Sequence, residues 1–172
     1  LGSQSDNDTV ADPVWSITVK NSLVTNKTDP INVVKWYLWA NPTVNKSPPE
    51  QLPYLVTSMN QSILQWTTTT TWLGNNPSKG YMTISTPHGY ICLEIDYMGT
   101  IFGRAQSWCV AWGATQPNPD DAATYPPPGF TIPVKSPGTE WIMPAETGYQ
   151  IIIDTQAAEL GLQVTINIRD PK

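Results

Sequence analysis

Few side chains in this sequence are equipped for acid–base chemistry. His88 is the only histidine, and Ser85 and Asp96 lie near it in the chain. A histidine general base beside a hydroxyl and a carboxylate is the arrangement of nucleophilic hydrolysis. However, His88 sits in Pro87-His88-Gly89, a turn signal, with no nucleophile elbow or glycine-rich oxyanion loop nearby. Glu94 and Asp96 are two apart and share a face if this segment is a strand. Like charges that close raise one pKa, and glycoside hydrolysis sets two carboxyls roughly 5 to 10 Å apart across a cleft. Glu140 is a further acid for that reading, although a water-facing strand gives the Glu94/Asp96 pattern with no function attached. Asn118, Asp120 and Asp121 form the densest oxygen cluster. Calcium takes about six to eight oxygens, and the acid and glycine spacing of an EF-hand is absent. Asp120 and Asp121 are thus candidate calcium ligands, against the reading of a solvated turn. No set of groups converges on a reaction, so the expectation is a non-enzyme without a cofactor.

The aromatic residues say more. Trp36 and Trp39 fall on opposite faces of a strand, whereas Trp108 and Trp112 share one. One of the first pair therefore points away from the core, where an indole beside polar groups stacks on sugars or enters a protein interface. Two long connections, residues 41–53 and 113–129, are stiffened by proline. Long loops in compact domains are often functional, and stiff ones lose less entropy on binding. The binding candidates are accordingly Trp39, Asn41, Asn118, Asp120, Asp121 and Tyr125.

The elements that carry these residues read as strands. Prolines divide the chain into short segments with an apolar period of two, at 14–19, 31–40, 63–72, 81–86, 90–97, 107–114, 130–134, 149–154 and 162–168. Trp15, Ile17 and Val19 form one face of the first. Val34, Trp36 and Leu38 oppose Val33, Lys35, Tyr37 and Trp39 in the second. Ile91, Leu93, Ile95 and Tyr97 oppose Cys92, Glu94 and Asp96, and Pro87-His88-Gly89 joins that strand to its predecessor as a hairpin. One helix start is expected, with Ser47 as cap, Pro48 in the first turn and Glu50 three residues on. Residues 155–161 are long enough for one helical turn. The expectation is an all-β, single-domain antiparallel sandwich of jelly-roll type, with about nine strands and at most one or two short helices.

Composition excludes several classes. Charged residues are 13% of the chain, the net charge is -5, and there are eight Trp and seven Tyr. That is too acidic for a binder living on phosphate contacts, which argues against nucleic acid, and too aromatic for a disordered chain. The first 86 residues carry five basic and five acidic side chains, and the remainder four and nine. The longest uncharged stretch, 51–78, is full of Thr, Gln, Asn and Pro, so no membrane span is expected. Cys92 and Cys109 are either one cross-strand bridge or two buried thiols. Sequons at Asn7, Asn26, Asn45 and Asn60 hint at secretion. Leu1-Gly2-Ser3 reads as the remainder of a cleaved affinity tag, which leaves residues 4–172 as the domain.

A low-charge, Thr- and Pro-rich, tryptophan-bearing β domain resembles the protruding domains of capsid proteins from small non-enveloped RNA viruses. The stretch from Trp141 to Ile151, with Pro144 and Gly148-Tyr149, is similar to the entry into a late jelly-roll strand. The resemblance implies a virion-surface module for host attachment. Its partner would be a receptor protein or a neutral glycan, with subunit contacts that make a dimer or trimer. Alternatives are a secreted sandwich lectin or actinoporin-like pore-forming toxin, and a sandwich glycosidase.

Overall fold

The computed structural model describes residues 12–25, 27–40, 42–71, 74–75, 77–100, 103–117, 125–135, 141–142, 148–158 and 161–171. Strict alternation makes one side of each long strand apolar, and such strands are stable only when two apolar sides meet. The first sheet runs in the order β12 (Trp141–Ile142), β13 (Gln150–Ala158), β14 (Gly161–Arg169), β1 (Val14–Ser22), β5 (Ser62–Thr67) and β3 (Thr43–Lys46). The second runs β11 (Thr131–Lys135), β10 (Gly103–Gly113), β9 (Gly89–Thr100), β8 (Ser78–Thr86), β2 (Asn32–Trp39) and β4 (Tyr54–Leu55). A two-stranded ribbon pairs β6 (Thr70–Thr71) with β7 (Gly74–Asn75). Pairing is antiparallel except between β1 and β14, which run parallel. The chain is an all-β sandwich.

The core lies between the sheets. From the first come Trp15, Ile17, Leu64, Trp66, Val164 and Ile166, and from the second Met82, Ile84, Leu93, Ile95 and Val110, all fully buried. Trp15 packs on Tyr97 across the gap, with ring centroids 4.1 Å apart. Gly80 of the second sheet faces the Trp66 ring of the first. A Cβ there would meet the Trp66 ring at 2.2 Å, so only a bare backbone admits the indole. Trp66 also donates its indole N–H to Ser78 Oγ at 3.2 Å, which satisfies its one polar atom inside the core.

All nine expected segments hold strands, that at 63–72 divided into β5 and β6, and four short ones are added: β3, β4, β7 and β12. The hairpin around His88 forms, with Thr86 opposite Gly89 and Gly89 at a φ of 142°. Three expectations are corrected. No helix starts at Ser47. Strand β3 pairs with β5 up to Lys46, and the following Pro48-Pro49 keeps the chain extended. The connection at 41–53 therefore contains a strand. Where a helical turn is expected at 155–161 the described residues are strand as well, because β13 reaches Ala158 and pairs it with Gly161 of β14. Finally, β2 does not hold one alternation throughout. A register shift between Val33 and Lys35 lets Val33 face the core at one end and Trp36 and Leu38 at the other.

Candidate functional site

The outer face of the second sheet gathers the polar and aromatic side chains that alternation keeps out of the core. Register arranges them in rows across β2, β8, β9 and β10. One row is Trp39, Lys79, Asp96 and Ser107, and the next is Tyr37, Tyr81, Glu94 and Cys109. A third is Lys35, Thr83, Cys92 and Ala111. Strand β2 ends at Trp39 because Ala40 turns the chain with a φ of 72°, in the left-handed region.

Two rings of this face are open to solvent. Tyr37 is 38% and Trp39 45% exposed. They lie two residues apart on one strand face, so their Cα atoms are about 6.7 Å apart. Tyr37 is braced edge-on by Tyr81, with centroids at 6.1 Å, and Tyr81 in turn by Tyr125 at 5.2 Å. Lys79 stands 4.0 Å from Asp96 beside Trp39. The aromatic surface is therefore bordered by a cation and two carboxyls.

The same face continues into a cleft of about 330 Å³ lined by Glu94, Ser107, Trp108, Cys109, Tyr125, Pro126 and Ile132. Tyr125 closes it. Its hydroxyl lies 2.5 Å from the Cys92 carbonyl and 2.9 Å from the Cys109 carbonyl, so its single proton is shared between adjacent strands. This contact covers Cys92, which is buried although it faces outward. Burial dominates the electrostatics. It raises the Glu94 carboxyl above the ordinary range, with Asp96 adding to the effect while Lys79 and a hydrogen bond with Tyr81 oppose it. Burial also pushes the Cys92 thiol up to about 11 and holds Tyr81 and Tyr125 in their phenol forms.

The two cysteines are thiols and do not form a disulfide with each other. Cys92 is opposite Ala111 and Cys109 opposite Glu94, so the thiols are diagonal neighbours. Diagonal Cα atoms lie roughly 7 to 8 Å apart, beyond ordinary disulfide reach. His88 is exposed at the far hairpin, edge-on to Tyr149 at 4.8 Å. Six residue steps along the strand separate it from Glu94, about 20 Å, so it joins neither Glu94 nor Asp96 in one site. Among the candidates named above, Trp39 is exposed, and Tyr125 aims its hydroxyl inward. Asn41, Asn118, Asp120, Asp121 and Glu140 lie outside the described residues. Sequence reasoning missed Tyr37, Tyr81 and the Glu94 cleft as one surface, because cross-strand register is not written in any local pattern. The signal available was the shared parity of Tyr37 with Trp39 and of Glu94 with Asp96.

No family model matches the chain, and no curated protein matches it. Among solved structures it is similar to the lipid binding protein Nakanori, with a TM-score of 0.56 and 8% identity over 96% of this chain and 75% of that one. The Xerocomus chrysenteron lectin XCL aligns with a TM-score of 0.45 and 13% identity over 90% of this chain and 99% of the lectin. A mutated form of that lectin gives 0.46 and 11% over 92% and 99%. At such identities the likeness to Nakanori is one of fold alone.

Proposed function

We propose that this protein is a non-enzymatic recognition module that binds neutral saccharides on the outer face of its second sheet. The observation that carries the reading is the exposed pair Tyr37 and Trp39, placed beside Asp96, Lys79 and Glu94. Aromatic faces stack on the C–H faces of sugar rings, and carboxyls accept from ring hydroxyls. Glu94 and Asp96 stand side by side on one strand, whereas glycoside hydrolysis needs its two carboxyls on opposite sides of the bond. The test is a neutral-glycan array read with the wild type and with Trp39→Ala. Binding by the wild type that falls roughly tenfold or more in the variant, with its melting temperature kept, upholds the reading. No bound glycan, or binding indifferent to Trp39, refutes it. Hydrolysis of a bound glycoside, lost in Glu94→Gln, would make the protein a glycosidase instead.

The setting we attach to this module is the surface of a virus particle, supported by the low-charge, Thr- and Pro-rich composition. An upstream reading frame encoding a shell domain with an arginine-rich arm would uphold it, and a signal peptide immediately before Gln4 would overturn it. A second reading, contact with a lipid surface, is favoured by one feature. Val24 (78% exposed), Leu55 (50%) and Met59 (87%) lie at the end of the sandwich opposite Trp39. Asn21 ties the segments that carry them together through a 3.0 Å bond to the Val56 carbonyl. The similar fold of a lipid binding protein adds to this reading. Co-sedimentation with liposomes, abolished in a Val24→Ser, Met59→Ser double variant, would support it.

A further inference from the structure

The outer face of the first sheet has a chemistry unlike that of the second. Strands β1 and β14 run parallel, with Lys20 opposite Asn167 and Ser22 opposite Arg169. On the other side of β14, Asn167 is opposite Ile152 and Thr165 opposite Asp154. Lys20, Asn167, Arg169, Thr165, Ile152 and Asp154 line one groove of about 340 Å³. Lys20 and Arg169 are exposed, and neither forms an ion pair with a described residue. Strand spacing and rise put their Cα atoms roughly 8 Å apart, within reach of a single oxyanion for side chains of that length. Two adjacent cations, sharing the groove with the single carboxyl of Asp154, are notable on a chain whose net charge is -5.

A bare anion would not use everything in the groove. The Asn167 amide oxygen is buried and has no hydrogen-bond partner among the described residues. Buried polar atoms are rarely left so, and this acceptor at the floor of the groove suits a donor brought by a water or by a ligand hydroxyl. Asp154 is a second acceptor and would repel an anion placed close to it. Ile152 between them is apolar and half-buried. The arrangement sorts a ligand into three parts: a carboxylate toward Arg169 and Lys20, hydroxyl groups toward Asn167 and Asp154, and a C–H face on Ile152. The groove also does not end at Lys20. The same lysine lines a neighbouring one of about 320 Å³, with Asn21, Ser22, Thr57, Ser58 and Gln61 supplying polar groups and Met59 an apolar wall.

We propose that the β1–β14–β13 face is a second binding site, specific for a carboxylated saccharide such as a uronic acid, with the Lys20 junction admitting a further sugar unit. This site is on the sheet opposite Trp39 and does not depend on the neutral-saccharide reading. The test titrates the isotope-labelled protein by NMR with methyl glucuronide, its neutral counterpart methyl glucoside, and inorganic phosphate, at about 20 mM ionic strength to limit screening. Expected are shifts at Lys20, Thr165, Asn167 and Arg169 with the glucuronide and at least tenfold weaker binding of the glucoside. Arg169→Gln should weaken glucuronide binding roughly tenfold, and Asn167→Ala should weaken it while leaving phosphate unaffected. Trp39→Ala should change nothing here. Equal affinity for phosphate and glucuronide would reduce the site to a bare anion patch and overturn the proposal. Absence of shifts at these residues, or indifference to Arg169→Gln in a variant of unchanged melting temperature, would overturn it too.

Discussion

Tyr125→Phe removes one oxygen atom and so tests whether the cleft is closed by the bonds that the geometry shows. The hydroxyl sits 2.5 Å and 2.9 Å from the carbonyls of Cys92 and Cys109. Its single proton makes the equivalent of one neutral hydrogen bond, a net contribution of about 1 kcal/mol. The ring stays in the variant, and with it the edge contact to Tyr81 at 5.2 Å. For a domain of this size, 1 kcal/mol corresponds to about 2 to 4 °C in melting temperature, and that is the loss expected for the phenylalanine. Tyr125→Ala forfeits the ring as well, and its loss should be at least twice as large. Opening the cleft should also speed alkylation of Cys109, which lines it, in the alanine variant more than in the phenylalanine. Calorimetry and timed iodoacetamide labelling measure both quantities. If the alanine variant keeps the wild-type melting temperature and labelling rate, Tyr125 does not close the cleft and the account of Cys92 burial fails.

Three further outcomes follow from the same geometry. Because Glu94 binds its proton more tightly folded than unfolded, the native state holds the extra proton above about pH 4, and stability falls as pH rises through the folded value. Glu94→Gln should therefore match the wild type at low pH and exceed its melting temperature at pH 7; a variant less stable at pH 7 would contradict the sign. Gly80→Ala would drive a methyl group to 2.2 Å from the Trp66 ring, costing about 1 to 3 kcal/mol by overpacking, so an unchanged melting temperature would show that the sheets do not meet there. With its thiol pushed up to about 11, Cys92 should alkylate at pH 8 at least a hundredfold slower than a free thiol of pKa about 8.5, as site-resolved mass spectrometry would read.

How much of this was legible beforehand depends on how local each feature is. The alternation of residues 91–97 and the turn at His88 are properties of neighbouring residues, and both appear as expected. The extended path after Ser47 follows from Pro48-Pro49, which outweighs a capping residue. The register shift in β2 depends on its pairing with β8, so parity counting from Ile31 misplaces Val33. The rows of the candidate site are longer-range still. Tyr37 and Tyr81 meet across 44 positions of chain, and Tyr81 and Glu94 only through the hairpin between them. The inward hydroxyl of Tyr125 has no sequence signature, because it is fixed by two backbone carbonyls contributed by other strands.

The most direct measurement is fluorine NMR of the protein labelled with 5-fluorotryptophan. Its eight indoles report from core and surface at once, with Trp39 assigned by substitution to phenylalanine. On titration with a neutral oligosaccharide retained by the array, the Trp39 resonance should move progressively. Those of Trp15 and Trp66, which are fully buried, should stay fixed. Saturable binding that leaves the Trp39 resonance in place would contradict the claim that this face is the recognition surface.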